Sequence, residues 1–86
     1  MRQKYDISIL QYSNTQYVHS NCNSITFINY GTSIAIINQA IQIANGQSFT
    51  IEGNENEECV EQFLLTFSGA GVNNVVVVRK MYVSKQ

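Results

Sequence analysis

Few residues of the chain have types and spacings that could support chemistry, and the single histidine belongs to one such set. His19 and Cys22 lie three residues apart, and Cys59 follows Glu57 and Glu58. A structural zinc site needs four ligands, usually including closely spaced pairs of cysteines, and this scattered set lacks that spacing. We therefore interpret both cysteines as free thiols that act as small, buried apolar residues.

Acidic residues concentrate in one short segment. Residues 52–61 contain five of the six acidic side chains, among them Glu55, Glu57 and Glu58. Their oxygens could ligate Ca²⁺, although the segment does not match an EF-hand loop. The simpler interpretation is a solvated polar loop, and a third is an acidic contact patch for a basic partner.

Basic residues lie near the two ends of the sequence: Arg2, Lys4, Arg79, Lys80 and Lys85. If the termini and the acidic segment fall on opposite sides of the fold, neighbouring copies could meet with opposite charges in contact. Head-to-tail contacts of that kind close into rings or extend into filaments. The sequence thus nominates Glu55, Glu57, Glu58, Arg79 and Lys80 as interface residues.

Catalytic machinery is not predicted. The acidic residues share one loop, whereas glycoside hydrolysis needs two carboxyl groups held across a cleft. No serine lies in a nucleophile-elbow motif, and Gly69 and Gly71 do not precede a predicted helix, as a phosphate-binding loop would require. We expect no enzyme activity, and no catalytic, cofactor-binding or metal-binding residues.

Five tyrosines offer a second class of function, the stacking of sugars. Tyr30 lies in a predicted turn, and Tyr12 and Tyr17 flank a short polar loop. Aromatic rings with nearby amides suit a carbohydrate site, although tyrosine is also common in strands. Glycan binding is therefore kept as an alternative.

Composition limits the remaining classes. The net charge of −1 argues against a partner with many phosphates, so no nucleic acid is expected. No run of about 18 apolar residues predicts a membrane helix, and the first residues do not resemble a signal peptide. Only 13% of the residues are charged, which suits a surface that contacts proteins or sugars. We expect a single domain over residues 1–86, made in a cytoplasm.

Apolar residues recur with a period of two, which predicts an all-β domain. About seven short strands are expected in a small antiparallel β-sandwich or barrel. The candidate runs are Tyr5–Tyr12, Tyr17–Ser20, Ser24–Asn29, Ser33–Asn38, Ile41–Ile43, Gln47–Glu52, Val60–Ser68 and Val75–Val83. The four consecutive valines at 75–78 suggest burial on both faces.

Three turn signals in the middle of the chain predict a meander. They are residues 29–32, residues 38–40, and residues 44–47 with the Asn-Gly pair of a tight hairpin. A helix over residues 34–43 is a competing interpretation, which the isoleucine content and the flanking glycines disfavour.

Each predicted strand has one face assigned to the core, and in residues 33–38 that face carries Ile34 and Ile36. Several other apolar residues fall on the opposite, second face of their strands. That second set comprises Ile28, Ile37, Leu64, Val76 and Val78. In a sandwich such positions face solvent unless a partner covers them, so they are candidate interface residues.

Residues 24–67 resemble small structural proteins of tailed bacteriophages, among them phages of Bacteroides-like hosts. The resemblance lies in the "strand, Asn, x-Gly-Thr, strand" pattern at residues 24–33, the hairpin-like stretch at 36–49 and the polar loop at 52–55. Asn45 stands where that pattern often has proline. The resemblance implies a β-sandwich used as a capsid-auxiliary, decoration or tail-associated protein, located in the virion and made in the bacterial host cytoplasm. Its expected partners are other copies of itself or other virion proteins, and the alternative is a β module that binds a glycan or a host protein.

Overall fold

The computed structural model describes residues 4–54, 57–69 and 71–82, and these residues form eight β-strands. The strands are β1 (Tyr5–Tyr12), β2 (Gln16–His19), β3 (Ser24–Asn29), β4 (Ala35–Ile37), β5 (Ile41–Ile43), β6 (Ser48–Ile51), β7 (Gln62–Phe67) and β8 (Val75–Tyr82). The predicted all-β class is confirmed. The competing helix is wrong, since residues 34–43 form β4, a turn and β5. None of the described residues belongs to a helix that could cross a membrane.

The strands form two antiparallel four-stranded sheets. The first sheet has the order β1-β8-β3-β6, and the second has the order β2-β7-β4-β5. The first strand of the chain pairs with the last, the second with the next to last, and so on inward. The first sheet contains the pairs β1 with β8 and β3 with β6, and the second sheet contains β2 with β7 and β4 with β5. This nesting describes one long hairpin, with β4 and β5 at its tip, rolled up so that alternate parts enter opposite sheets. It is the topology of a jelly roll, an eight-stranded double-sheet architecture.

The predicted meander is wrong, because just one of its three turns joins neighbouring strands of one sheet. The β4–β5 hairpin turns at Asn38 and Gln39, whose φ angles of 54° and 59° are those of a type I′ turn. Residues 44–47 also form a turn, closed by a 3.0 Å hydrogen bond from the amide of Gln47 to the carbonyl of Ala44. Gly46 has a φ of 80° at its third position, as in a type II turn, and the chain passes to the other sheet.

The core lies between the inner faces of the two sheets. Its buried apolar members are Val18, Cys22, Ile25, Phe27, Ala35, Ile37, Ile43, Phe63, Leu65, Val75 and Val77. The rings of Phe27 and Phe63 meet edge to face across the sheets, with centroids 5.6 Å apart, a favourable aromatic geometry. Val75 and Val77 are buried, whereas Val76 and Val78 are half-buried. Burial of this valine run on both faces was therefore a wrong prediction, because the second sheet covers one side alone.

The predicted phase of β4 is also wrong. Ala35 and Ile37 are fully buried, whereas Ile36 is half-buried and Ile34 is exposed. The register with β7 explains this, since Ile37 lies opposite the buried Leu65 and so shares its face. Ile37 is a core residue and is not available as an interface residue.

Asn29, in the motif that carries the phage resemblance, is a buried structural residue. Its side-chain amide donates hydrogen bonds of 2.8 Å to the carbonyls of Ser33 and Ile43. Its side-chain oxygen accepts a 2.9 Å bond from the amide of Gly31. These three bonds satisfy a polar side chain that is costly to bury unpaired, and they fix the connection from β3 to β4.

The Gly and Thr of the same motif hold the connection between β7 and β8. A Cβ at Gly31 would overlap the carbonyl oxygen of Val72 and lie 2.7 Å from the amide nitrogen of Asn74. The hydroxyl of Thr32 accepts a 2.8 Å hydrogen bond from the amide of Val72. The motif therefore meets the needs of a crossing between sheets, which explains why its residue types recur in sandwiches.

Candidate interaction surface

The first sheet has one face against the core and one face that no described element covers. We call the uncovered side the outer face, and the strand registers define its members. They are Tyr5, Ile7, Ile9 and Gln11 of β1, Val76, Val78, Lys80 and Tyr82 of β8, Ser24, Thr26 and Ile28 of β3, and Ser48 and Thr50 of β6. The predicted outward positions of Ile28, Val76 and Val78 are confirmed.

The apolar part of the outer face is concentrated on the β1 side. Ile9 lies opposite Val78 and remains 65% exposed, and Ile7 lies opposite Lys80 and is half exposed. Toward β6 the face becomes polar, where the hydroxyls of Thr26 and Thr50 lie 3.0 Å apart. Contiguous exposed apolar side chains of this kind mark interaction sites more often than isolated ones do.

Strand β1 is also a free edge of the first sheet. It pairs with β8 along all eight residues and has no partner on its other side among the described residues. In an antiparallel pair, alternate residues point their backbone groups away from the partner strand. Leu10 is exposed on the opposite side of the strand from Ile9, so this edge presents apolar side chains on both faces. The chain also contains no proline, which edge strands often use to prevent further pairing.

At one end of the outer face, Lys80 lies between two aromatic rings. Its ammonium is 4.6 Å from the ring centroid of Tyr5 and 4.9 Å from that of Tyr82. The two tyrosines are register partners and meet edge to face at 6.1 Å. Cation–π contacts of this geometry hold the positive charge at a defined place beside the apolar residues.

Arg79 does not belong to a surface, so its prediction as an interface residue is wrong. Its side chain is 9% exposed. Its Nε donates a 2.8 Å hydrogen bond to the carbonyl of His19, and Nη2 donates a 3.3 Å bond to the hydroxyl of Tyr12. Arg79 points inward because it continues the alternation of Val75 and Val77, a signal present in the sequence.

The proposed opposition of acidic and basic groups is also wrong for the described residues. Glu57 and Glu58 are exposed, but they line one pocket of about 330 Å³ together with Met81 and Tyr82 at the end of β8. Glu57 and Glu58 therefore lie beside the end of β8, where Met81 and Tyr82 follow Lys80 in the sequence. Glu55, Arg2 and Lys85 lie outside the described ranges.

The three tyrosines of the glycan alternative are separated by the fold. Tyr30 is 61% exposed in the β3–β4 connection, where its amide donates to the carbonyl of Asn74. Tyr17 is 58% exposed on β2, and Tyr12 is half-buried against Arg79. The side-chain amide of Asn45 bonds to the carbonyl of Gly31, the residue after Tyr30, so an amide side chain lies near the backbone of this exposed tyrosine.

Both cysteines are free thiols, and they occupy opposed positions on two adjacent segments. Cys22 is buried and Cys59 is half-buried. Burial raises the pKa of the Cys22 thiol above its usual value, with Cys59 and Glu58 adding to the rise and Arg79 opposing it. Within the described ranges, no three His, Cys, Asp or Glu side chains come together as a metal site would require.

The exposure of β1 was the main feature that the sequence analysis missed. The alternation groups Ile7 and Ile9 on one face of the run but does not tell which face points outward. Asp6 and Ser8, on the other face of this run, would suit solvent and so give a misleading signal, because the structure turns Ser8 toward the inner side, opposite Arg79. Pairing with Arg79 thus decides the phase of the strand.

Comparison of the chain with family models, with characterised proteins and with solved structures gives no match.

Proposed function

We propose that the chain is a non-enzymatic structural component of a phage virion, a capsid-auxiliary, decoration or related accessory protein. It acts by binding other copies of itself, or other virion proteins, through the outer face and the free edge of β1. The observation that carries this proposal is β1 itself, an eight-residue edge strand with Ile7, Ile9 and Leu10 exposed. A long, apolar, unprotected edge is a liability in a free monomer and a binding element in an assembly.

Two copies could pair the free backbone groups of their β1 strands through the same main-chain hydrogen bonds that join strands within the sheet. Antiparallel pairing of β1 with β1 of a second copy would continue the four-stranded sheet into eight strands and add main-chain hydrogen bonds. A two-fold contact of this type is self-complementary, so each copy would cover Ile9 and Leu10 of the other. The same edge can pair with a strand of another virion protein.

The fold is compatible with this role. Jelly rolls occur in viral capsid proteins and in lectins, and one fold supports many functions. The phage setting rests on the resemblance of residues 24–67, whose motif has a structural explanation in Asn29, Gly31 and Thr32. The free edge of β1 and the outer face support the binding role.

The solution mass of the purified chain, measured by light scattering during size-exclusion chromatography, tests the self-assembly part of the proposal. We expect a defined oligomer whose mass falls on dilution over a roughly hundredfold concentration range. A mass of 9.7 kDa at every concentration would refute self-assembly. Binding to purified phage particles, with capsids that lack the protein as targets, then tests attachment to other virion proteins.

A glycan-binding role is the second candidate, and Tyr30 is the observation that favours it. The exposed ring of Tyr30 provides a stacking surface, its backbone amide bonds to the carbonyl of Asn74, and the side chain of Asn45 bonds to the carbonyl of the next residue, Gly31. Tyr30→Ala should abolish any binding detected on a glycan array, whereas Tyr17→Ala, at a ring of similar exposure on β2, should not. Equal loss in both variants, or no binding by the unaltered chain, would reject this candidate.

A further inference from the structure

The two segments that contain the cysteines run side by side between the sheets. Residues 20–23 carry the chain from β2 in the second sheet to β3 in the first, and residues 57–61 lead into β7 of the second sheet after the chain has left β6 of the first. The hydroxyl of Ser20 lies 2.8 Å from the carbonyl oxygen of Cys59 and 2.7 Å from that of Glu61. These contacts hold the two crossings together at one end of the sandwich.

Cys22 and Cys59 are directly opposed in an isolated antiparallel bridge between these crossings. The amide of Cys22 donates to the carbonyl of Cys59 at 3.2 Å, and the amide of Cys59 donates to the carbonyl of Cys22 at 2.8 Å. Residues that exchange both bonds have Cα atoms about 5.5 Å apart, inside the range of about 4.4–6.8 Å found for disulfides. Their side chains also leave the ladder on the same face.

We infer that Cys22 and Cys59 form a dithiol site that closes reversibly to a disulfide when it meets a low-molecular-weight disulfide. The Cβ atoms of opposed residues lie about 4.5–5.5 Å apart, with hydrogen-bonded pairs such as this one toward the upper end, so they are about 1 Å farther apart than the roughly 3.5–4.5 Å of a relaxed disulfide. An isolated bridge can close that gap more easily than a position inside a long ladder. The bond should retain some strain, and strained disulfides are the more readily reduced ones.

The order of the two exchange steps follows from the different exposure of the thiols. The thiolate of Cys59, which is half-buried, attacks one sulfur of the oxidant RS–SR, forms a mixed disulfide and releases one RSH after protonation. The thiolate of Cys22 then attacks the Cys59 sulfur and releases the second RSH. The two protein thiols lose two protons and two electrons, and the oxidant RS–SR takes up these two protons and two electrons to become two RSH molecules.

The experiment uses the full chain, reduced and then exposed to glutathione disulfide at about pH 8, where thiolates begin to form. Free thiols are then blocked with N-ethylmaleimide, and the intact mass is measured. We expect a product two hydrogens lighter than the reduced chain that takes up no maleimide. Cleavage after glutamate separates Cys22 from the peptide Cys59–Glu61, so that fragment should remain attached to the Cys22 peptide until a reductant is added.

The cross-link should form in the folded protein and stabilise it. It would close the loop between residues 22 and 59, and a loop of that length should raise the unfolding temperature by on the order of 10 °C. The linking rate should not increase in low concentrations of urea, because the native geometry already brings the thiols together. A link that forms only as urea unfolds the chain, or a chain that takes up two maleimides after oxidation, would overturn the inference.

Single variants test the order of steps. Cys22→Ala keeps the accessible thiol and should stop at a mixed disulfide, whereas Cys59→Ala keeps the buried thiol and should react more slowly. Faster reaction of Cys59→Ala would contradict the assigned order. Since the exchange needs no second copy of the chain, its outcome is separate from that of the assembly experiment.

Discussion

Replacing Ile9 with threonine should weaken self-association while leaving the fold intact. Ile9 lies on the outer face, on the free edge strand, opposite Val78. Because 65% of its surface is already exposed in the isolated chain, the folded monomer gains little from it. Threonine keeps the β-branch that favours strands, so the monomer's free energy of unfolding should change by no more than about 0.5 kcal/mol.

The loss in association follows from the area that a partner would cover. The change replaces two apolar carbons with a hydroxyl, and each buried carbon group contributes about 0.8 kcal/mol. Covering the exposed 65% of the side chain gives roughly 1 kcal/mol per copy and roughly 2 kcal/mol for a two-fold dimer that uses both. That difference corresponds to about a 30-fold increase in the dimer dissociation constant.

Sedimentation equilibrium measures the dissociation constant, and thermal unfolding at low concentration measures the stability of the monomer. Val60→Thr is the matched control, because Val60 is 68% exposed and lies away from the outer face, before β7. We expect the control to associate like the unaltered chain. Equal dissociation constants for Ile9→Thr and the unaltered chain, or a larger effect of Val60→Thr, would refute the assignment of the surface.

Three further predictions concern the fold. Gln39→Gly should stabilise the chain by about 0.5–1 kcal/mol, because it relieves about 1–2 kcal/mol of left-handed backbone strain and costs part of that gain in the backbone entropy of glycine. The control Gln42→Gly, in β5, should instead destabilise the chain. Chemical denaturation measures the free energy of unfolding of both variants. Asn29→Asp should destabilise the chain by at least about 3 kcal/mol, because two buried carbonyls lose their donors and a charge is buried, and near-normal stability in denaturation would contradict this role. Burial raises the pKa of Cys22, so the fold favours the protonated thiol, and this stability is lost as the pH rises from the thiol's pKa in the unfolded chain through its pKa in the folded chain. The unfolding temperature of the reduced chain should therefore fall more steeply above about pH 9 than that of Cys22→Ala. Parallel pH profiles of the two proteins would contradict this prediction.

Strand positions were predictable where alternation was clear. The bounds of β1 and β3 follow from the polar and apolar pattern of residues 5–12 and 24–29, and the structure confirms them. In residues 34–37 every side chain is apolar, so alternation gives no phase. The phase of β4 is set by the register of Ile37 with Leu65, a contact between segments distant in the sequence.

The sheet order could not be predicted from the turns. Gly46 supplies the positive φ that the Asn-Gly pair suggested, but in a turn that leads to the other sheet. The type I′ hairpin lies instead at Asn38 and Gln39, where the amide of Leu64 bonds to the side-chain oxygen of Asn38 at 2.9 Å. That bond from β7 supports a turn whose local sequence is unfavourable, since Gln39 lacks the freedom of glycine.

The candidate surface was predictable in part. The outward positions of Val76, Val78 and Ile28 follow from alternation once the inner face is known. The inward position of Arg79 also follows from the alternation, but the charge of its side chain indicated a surface position instead. The opposition of Cys22 and Cys59 was not predictable, because it depends on two crossings that meet through the order of the sheets.

Amide hydrogen exchange along β1 at low and high protein concentration tests the central claim most directly. Half of the amides of this strand, at alternate residues, point away from β8 and have no partner strand in the isolated chain. We predict that these amides exchange more slowly as concentration rises, while the amides at the free edge of β6 (Ser48–Ile51) do not change. Exchange from β1 that is independent of concentration, or protection that appears at β6 instead, would contradict the claim that β1 and the outer face form the interface.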